Sequence, residues 1–368
     1  MTRVIRRMTV VMSGRDRPYL PSYPLLDYPP YDGKTAGWIP LRSVDDFQME
    51  SNMDAFIEAK DVVKRFRGSA EPALQNFNLS IPRGTLCGLV GPDGAGKTTA
   101  LRILATVSNS FSGSASVAGY DVRTNPESVR SRIGYMPQNF SLYPDLSVEE
   151  NLSFFADLNG VAGERLPERM RAMLEFTNLQ GFRGRRAADL SGGMKKKLAL
   201  ACALAHDPQV LLLDEPSTGV DPVSRRELWR ILADVVRRGV TVLVSTPYMD
   251  EAERCHLVGM MYQGRILLRG APDELIGSMP SRFLEVKASP RKAMRQIVID
   301  TPGILSWRPV GDRLRVETED NHSTLERIRE HLAGEFRARG MEIEILQEVR
   351  PMMEDLFVHT IGAQERAA

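Results

Sequence analysis

The sequence predicts an α/β protein with a mixed sheet and an inserted helical subdomain, followed by a small α+β unit of ferredoxin-like order. Three observations predict it. Short apolar runs alternate with amphipathic stretches from Ala55 onward, as strands alternating with helices require. Between about Tyr135 and Leu204 the apolar spacing becomes helical. After Ser278 the order changes to strand, helix, two strands, helix, strand, that of a split βαβ unit.

The chain has 368 residues, room for about two domains at roughly 100 to 200 residues each. Lysine plus arginine number 48 against 47 aspartate plus glutamate, so no chain-wide field recruits nucleic acid or anionic lipid, and no nucleic-acid partner is expected. Apolar runs such as Val210 to Leu213 and Val242 to Val244 are short, so no segment is expected to span a bilayer. Cys87, Cys202 and Cys255 are far apart and lack CxxC spacing. That suggests neither a disulfide framework nor a zinc site, and fits a reducing, cytoplasmic compartment.

Residues 1–53 interleave prolines with Tyr19, Tyr23, Tyr28, Tyr31 and Trp38 and hold no periodicity; they read as a largely unstructured extension. Arg3, Arg6 and Arg7 stand beside Val10 and Val11, but no apolar h-region or small-residue cleavage site follows, which disfavours an export signal. Met53 opens the globular pattern. A start there and a translated leader are both compatible with it.

Phe56 to Val63 and Leu74 to Ile81 read as strands, and Leu86 to Val90 as a short strand entering a glycine-rich turn. Helical spacing marks Val148 to Leu158, Glu168 to Asn178 and Met194 to Ala205. Strand signals return at Val210 to Leu213, Val240 to Ser245 and Val258 to Tyr262, separated by helical Ser224 to Arg237 and Met249 to Cys255; this alternation implies parallel crossovers. The last unit reads as strand Phe283 to Ala288, helix Pro290 to Val298, strands Leu305 to Pro309 and Arg313 to Glu317, helix Ser323 to Arg339 and strand Glu342 to Glu348. Gly311 and Asp312 suit the hairpin turn, and Gly340 ends the long helix as a C′ glycine does.

Gly91, Pro92, Asp93, Gly94, Ala95, Gly96, Lys97 and Thr98 fit GxxxxGK[ST], directly after an apolar strand and before a helical stretch that Thr99 enters. In that setting the backbone N–H groups turn toward a phosphate chain, Lys97 reaches the β and γ phosphates, and the Thr98 hydroxyl ligates Mg²⁺. The expected ligand is a nucleoside triphosphate. Asp214 and Glu215 end the strand Val210 to Leu213. Asp214 is suited to hold Mg²⁺ through water and Glu215 to deprotonate the attacking water.

Leu190, Ser191, Gly192, Gly193 and Met194 open a helix between these motifs. With P-loop upstream and acidic pair downstream, the set resembles the ATP-binding cassette (ABC) family, whose signature is LSGG. Tyr135, Met136, Pro137 and Gln138 resemble its Q-loop; Ser217 to Asp221 resemble its D-loop. Phe66 resembles the aromatic that stacks on adenine, with a packed core side chain as the bland alternative. The resemblance implies a P-loop NTPase of the ABC ATPase type over 54–280, with a helical lobe at about 135–205. It further implies ATP and Mg²⁺ as cofactors, Lys97, Gln138 and Glu215 as catalytic residues, and Thr98, Gln138 and Asp214 as metal holders. The segment 281–368 is expected to be a ferredoxin-like regulatory or dimerisation domain.

Met249 to Glu253, Gly264 to Gly270, Ala271 to Leu275 and a tail containing Pro351, Glu354, Asp355 and Phe357 sharpen the likeness to ATPase subunits of ABC-2-type exporters. That likeness implies a second nucleotide-binding domain, because ATP is sandwiched between one P-loop and Ser191, Gly192 and Gly193 of the other subunit. It also implies separate membrane permease subunits and a peripheral place on the cytoplasmic face of the membrane. One departure stands out: Pro247 occupies the family's switch-histidine position and offers neither side-chain donor nor backbone N–H, so slower hydrolysis is expected. Asp93 likewise replaces a common asparagine. Two rival readings remain. A soluble ABC protein acting on ribosomes or DNA is disfavoured by the single cassette. A catalytically weak regulatory subunit is favoured by Pro247 and opposed by Glu215.

Overall fold

The computed structural model describes residues 55–139, 142–161 and 163–367. The extension expected over 1–53 lies outside them. Among the described residues the strands form three sheets. In the first, β1 (Ile57–Lys64), β2 (Leu74–Ile81), β4 (Ser112–Val117) and β5 (Tyr120–Asp121) run antiparallel in the order β2-β1-β4-β5. The second contains β3 (Leu86–Val90), β6 (Ile133–Met136), β7 (Val210–Asp214), β8 (Thr241–Thr246), β9 (Leu257–Tyr262) and β10 (Arg265–Gly270). Its order is β10-β9-β3-β8-β7-β6, parallel except for the β9–β10 hairpin. Every residue of β3, β7 and β8 is buried, which is why these strands read as continuous apolar runs rather than alternations.

Helices α1 (Lys97–Leu104), α2 (Pro126–Arg130), α3 (Val148–Leu158), α4 (Arg165–Phe176), α5 (Gly192–Leu204), α6 (Pro222–Arg237), α7 (Met249–Ala252) and α8 (Pro272–Gly277) complete the cassette. One core packs α1 and the antiparallel sheet on the main sheet through residues such as Phe77, Leu101, Leu104 and Leu212. The other packs α3 to α6 on the opposite face through Leu152, Met173, Leu198, Leu213 and Leu232. The glycine-rich turn therefore leaves the C-terminal end of the central strand β3, between the two cores.

Several sequence expectations shift. Tyr135 and Met136, expected at the start of the helical lobe, belong instead to β6, paired with β7, whereas the lobe's first helix spans Val148–Leu158 as its spacing predicts, with Ser147 and Glu150 forming a reciprocal capping box. Four residues are too few to reveal a period. Strand β4 went unread because Ser112, Gly113 and Ser114 are exposed and small; it is held by pairing with β1 and β5, and only Ala115 and Val117 reach the core.

The C-terminal unit runs β11 (Ser281–Ser289), α9 (Arg291–Asp300), β12 (Ile304–Val310), β13 (Arg313–Glu319), α10 (His322–Ala338) and β14 (Glu342–Val349). Its antiparallel sheet has the order β12-β13-β11-β14, with a core that includes Val286, Val298, Ile328 and Phe336. A final helix, α11 (Met353–Ala367), was not legible in the sequence. Its Met353 and Leu356 join Met279 and Phe283 in the cassette core, and Met353 N donates to Glu253 at 3.1 Å. Meanwhile Asp355 accepts from Arg308 and from buried Arg315. The tail thus fastens the C-terminal sheet to the cassette.

Candidate nucleotide site

The turn after β3 must be glycine-rich for steric reasons. A Cβ on Gly91 would sit 2.2 Å from the Met261 carbonyl oxygen, and one on Gly96 2.5 Å from that of Ala73, with Gly96 at φ 104. Gly94 also has positive φ, at 80. Gly96 caps α1 without a side-chain acceptor, so the first N–H groups of α1 are left for an anion. Lys97 is buried, donating from Nζ to the carbonyls of Gly91 at 2.7 Å and Pro92 at 3.0 Å. Ala95 is buried and Thr99 half-buried, while Asp93 is exposed at the loop tip, where solvent screens its charge from the cradle.

Asp214 and Glu215 leave β7 one strand away from β3, with β8 between. Asp214 is 1% exposed. Its Oδ1 accepts from Thr98 Oγ1 at 3.0 Å and Ser245 Oγ at 2.7 Å, but its buried Oδ2 has no partner among the described residues. Glu215 adopts φ 49, a conformation costing a non-glycine residue about 1–3 kcal/mol, and its N donates to Ser245 Oγ at 3.0 Å. Its Oε2 accepts from Gln138 Nε2 at 2.9 Å and Thr218 Oγ1 at 3.3 Å, and its Oε1 lies 3.6 Å from Lys97 Nζ.

A magnesium ion fits this donor set. An unpartnered buried carboxylate oxygen of Asp214, beside the Thr98 hydroxyl, offers the oxygen donors that a hard cation takes. Thr98, Asp214 and Gln138 could hold it.

The remaining candidates sit around this core. Phe66 is 46% exposed, with Lys64 Nζ 5.1 Å from its ring centroid, so the bland reading as a packed core side chain does not hold. Ser191 and Gly192 are exposed, and Ser191 caps α5 by accepting from Met194 N at 3.3 Å. Gly193 is buried where a Cβ would meet Ser224 Oγ at 2.4 Å. Asp221 caps α6 by accepting from Val223 N and Ser224 N at 3.0 Å. Pro247 follows β8 directly, beside the turn in which Gly91 N donates to the Thr246 carbonyl at 3.4 Å.

Ser245 and Lys196 went unrecognised in the sequence, and Thr218 entered only as part of the D-loop run, without its contact to Glu215. Lys196 falls in a basic run that reads as a solvated helix face, yet its Nζ donates to the Gln138 carbonyl at 3.3 Å. Burial pulls its ammonium below the usual lysine range, against the opposing pull of Glu215 and Asp214. With Gln138, Gly192 and Thr218 it lines a cleft of about 470 Å³. A charged residue at a half-buried helical position is the signal that could have singled it out.

A phosphate cradle opening a helix, facing two carboxylates one strand removed, defines a P-loop nucleotide-binding cassette. Known proteins narrow this class. A family model described as "ABC transporter" matches residues 74–218. The probable multidrug ABC transporter ATP-binding protein YbhF of Escherichia coli (strain K12) is 42% identical over 312 residues, which are 84% of this chain and 52% of that protein; the chain spans about half the length of that relative. The daunorubicin resistance ATP-binding protein DrrA2 of Streptomyces coeruleorubidus is 34% identical over 316 residues, 84% of this chain and 96% of that one. Among solved structures, the ATP binding subunit of an ABC transporter is 28% identical with a TM-score of 0.54, over 60% of this chain and 91% of that one. A cassette solved as a dimer in a post-hydrolysis state with ADP and Pi is 25% identical with a TM-score of 0.54, over 58% and 98%. The chain belongs to the ABC transporter ATP-binding proteins.

Proposed function

We propose that this chain binds and hydrolyses ATP and thereby energises export through separate ABC-2-type permease subunits. The observation that carries the reading is Glu215, held by Gln138 and Thr218 beside Lys97 and within one strand of the cradle. In the proposed reaction Glu215 takes a proton from the water that attacks the γ-phosphorus, while the bond from that phosphorus to the ADP oxygen breaks. Lys97 exchanges the Gly91 and Pro92 carbonyls for phosphate oxygens. Thr98, Asp214 and Gln138 would hold magnesium, which would supply charge neutralisation at the phosphates, and Phe66 would stack on the adenine.

Ser191, Gly192 and Gly193 serve the ATP of a second cassette, and Asp221 lies at the same junction. The dimeric post-hydrolysis relative supports this assembly for its own chain; homodimer or heterodimer is equally compatible here. Among the described residues no helix is long and apolar enough to cross a membrane; on the likeness to multidrug and drug-resistance ATP-binding proteins we assign the permease role to other chains and this one to the cytoplasmic membrane face. Exposed Tyr143, Phe154 and Leu158 on the helical lobe give an apolar surface suited to that contact. We assign residues 54–280 to the nucleotide-binding domain and 281–368 to a ferredoxin-like regulatory or dimerisation domain.

Pro247 favours a second reading, a subunit that holds ATP with little turnover beside a competent partner cassette. Mg²⁺-dependent ATP hydrolysis by the full chain, beside Pro247→His, separates the two. Turnover in the parent chain supports the first. ATP-driven dimers without turnover, rescued by Pro247→His, support the second.

A further inference from the structure

The carboxylate of Glu251 on α7 is 0% exposed and is not among the residues proposed to hold metal or phosphate, yet it binds both the turn after Glu215 and the turn at Pro247. Its Oε2 accepts from Ser217 Oγ at 2.9 Å and from Thr246 Oγ1 at 2.5 Å. Ser217 stands two residues after Glu215, and its neighbour Thr218 donates to Glu215 Oε2. Thr246 immediately precedes Pro247, and its hydroxyl also accepts from Tyr248 N at 3.1 Å. One oxygen therefore collects a donor from the turn carrying Glu215 and a donor from the turn carrying Pro247.

The other oxygen, Oε1, lies 3.7 Å from Arg225 Nε, and the guanidinium stands 4.4 Å over the Tyr248 ring. Arg225 belongs to α6, which Asp221 caps. Charge in this dry site is held at long range on one side and by short hydroxyl bonds on the other. Proline supplies no N–H to brace its own turn, so at Pro247 the bracing falls to Thr246 and Tyr248, both tied directly or indirectly to Glu251.

We infer that Glu251 is a positioning residue of the hydrolytic site, fixing the Glu215 turn and the Pro247 turn relative to each other. This rests on the proposed ATPase reading. The unfavourable φ of Glu215 and the featureless side chain of Pro247 both require an external brace, and the shared oxygen is that brace. Removing it loosens both turns together and slows the chemical step more than it weakens ATP binding.

The test uses the full chain with Glu251→Ala and Glu251→Gln, with kcat and KM for Mg²⁺-ATP measured beside backbone hydrogen exchange over 213–219 and 244–250. For Glu251→Ala we expect kcat to fall about tenfold or more with KM changed less than about threefold, and exchange to rise in both segments while that of β3 and α1 is unchanged. Glu251→Gln, which keeps an acceptor oxygen, recovers part of the loss. A kcat within twofold of the parent, exchange rising in one segment only, or a kcat loss that tracks loosening of β3 overturns the inference. Should Glu251→Ala fail to fold, Ser217→Ala and Thr246→Val each remove one donor, and their losses combine to less than the product of the two; independent losses overturn it. A parent chain with no turnover sinks the ATPase reading instead, and the paired exchange change alone then decides for or against Glu251.

Discussion

Gln138 Nε2 donates to Glu215 Oε2 at 2.9 Å, although the two residues are 77 positions apart in the chain. With Lys97 at 3.6 Å on the other oxygen, the carboxylate is held between an amide and an ammonium. The proposed base therefore depends on its holder for orientation. Replacing Gln138 with Ala is therefore expected to lower kcat by about 10- to 100-fold, within the span attributed to positioned acid–base groups. Steady-state phosphate release against ATP concentration checks it; an unchanged kcat contradicts the assignment.

The cradle makes a steric prediction. Gly91→Ala drives a Cβ to within 2.2 Å of the Met261 carbonyl oxygen, so β9 or the turn must shift. Loss of ATP affinity by at least about tenfold, or about 1.4 kcal/mol, is expected in equilibrium binding. Gly94→Ala meets no atom within 4 Å but requires φ 80, so its smaller loss separates backbone strain from crowding.

The tail helix should matter to stability through Asp355, which pairs with both Arg308 and Arg315. Arg315 and Asp355 are each 3% exposed and joined by hydrogen bonds of 2.8 and 2.9 Å. Asp355→Ala leaves buried Arg315 with only Glu285, at 3.6 Å, as a carboxylate partner, so the cost is expected below the roughly 3–5 kcal/mol of a fully unpaired buried charge, at about 2–3 kcal/mol. Denaturant unfolding followed with and without ATP is the measurement, and a loss below about 1 kcal/mol refutes the clamp.

Acid should weaken the cassette through His206. Burial lowers its imidazole below the ordinary value of about 6.5, the nearby Arg169 adds to this, and the Ile133 carbonyl and Asp207 oppose it. The folded chain then binds fewer protons than the unfolded one once pH drops below about 6.5, so stability declines from there down to the depressed folded value. His206→Gln keeps a donor for the Ile133 carbonyl and should flatten the fall in melting temperature between about pH 7 and 5.5. An equal fall in both proteins contradicts this.

The cradle and the acidic strand end were legible because steric and electrostatic demands confine them to short contiguous runs: Gly91 to Thr98, and Val210 to Glu215. The strands β3, β7 and β8 were legible because burial on both faces gives each a continuous apolar run, such as Val210 to Leu213 and Val242 to Val244, with polar residues only towards the strand ends. Other features were not written locally. Glu251 draws its role from Ser217, Thr246 and Arg225, which meet only when α6, α7 and β8 pack. Lys196 reads as one of three surface lysines until α5 turns it toward Gln138. Likewise α11 carries Met353 and Leu356 for a cassette core that lies in a different part of the chain, so its own segment gives no account of what they pack against.

The most direct measurement of the central claim is Mg²⁺-dependent ATP hydrolysis by the full chain and by Glu215→Gln, with ATP binding and dimerisation followed in parallel. The account predicts turnover in the parent, a loss of about 100-fold or more in Glu215→Gln, and ATP binding retained by both. Turnover that survives Glu215→Gln, or a parent chain that fails to bind ATP, would contradict it.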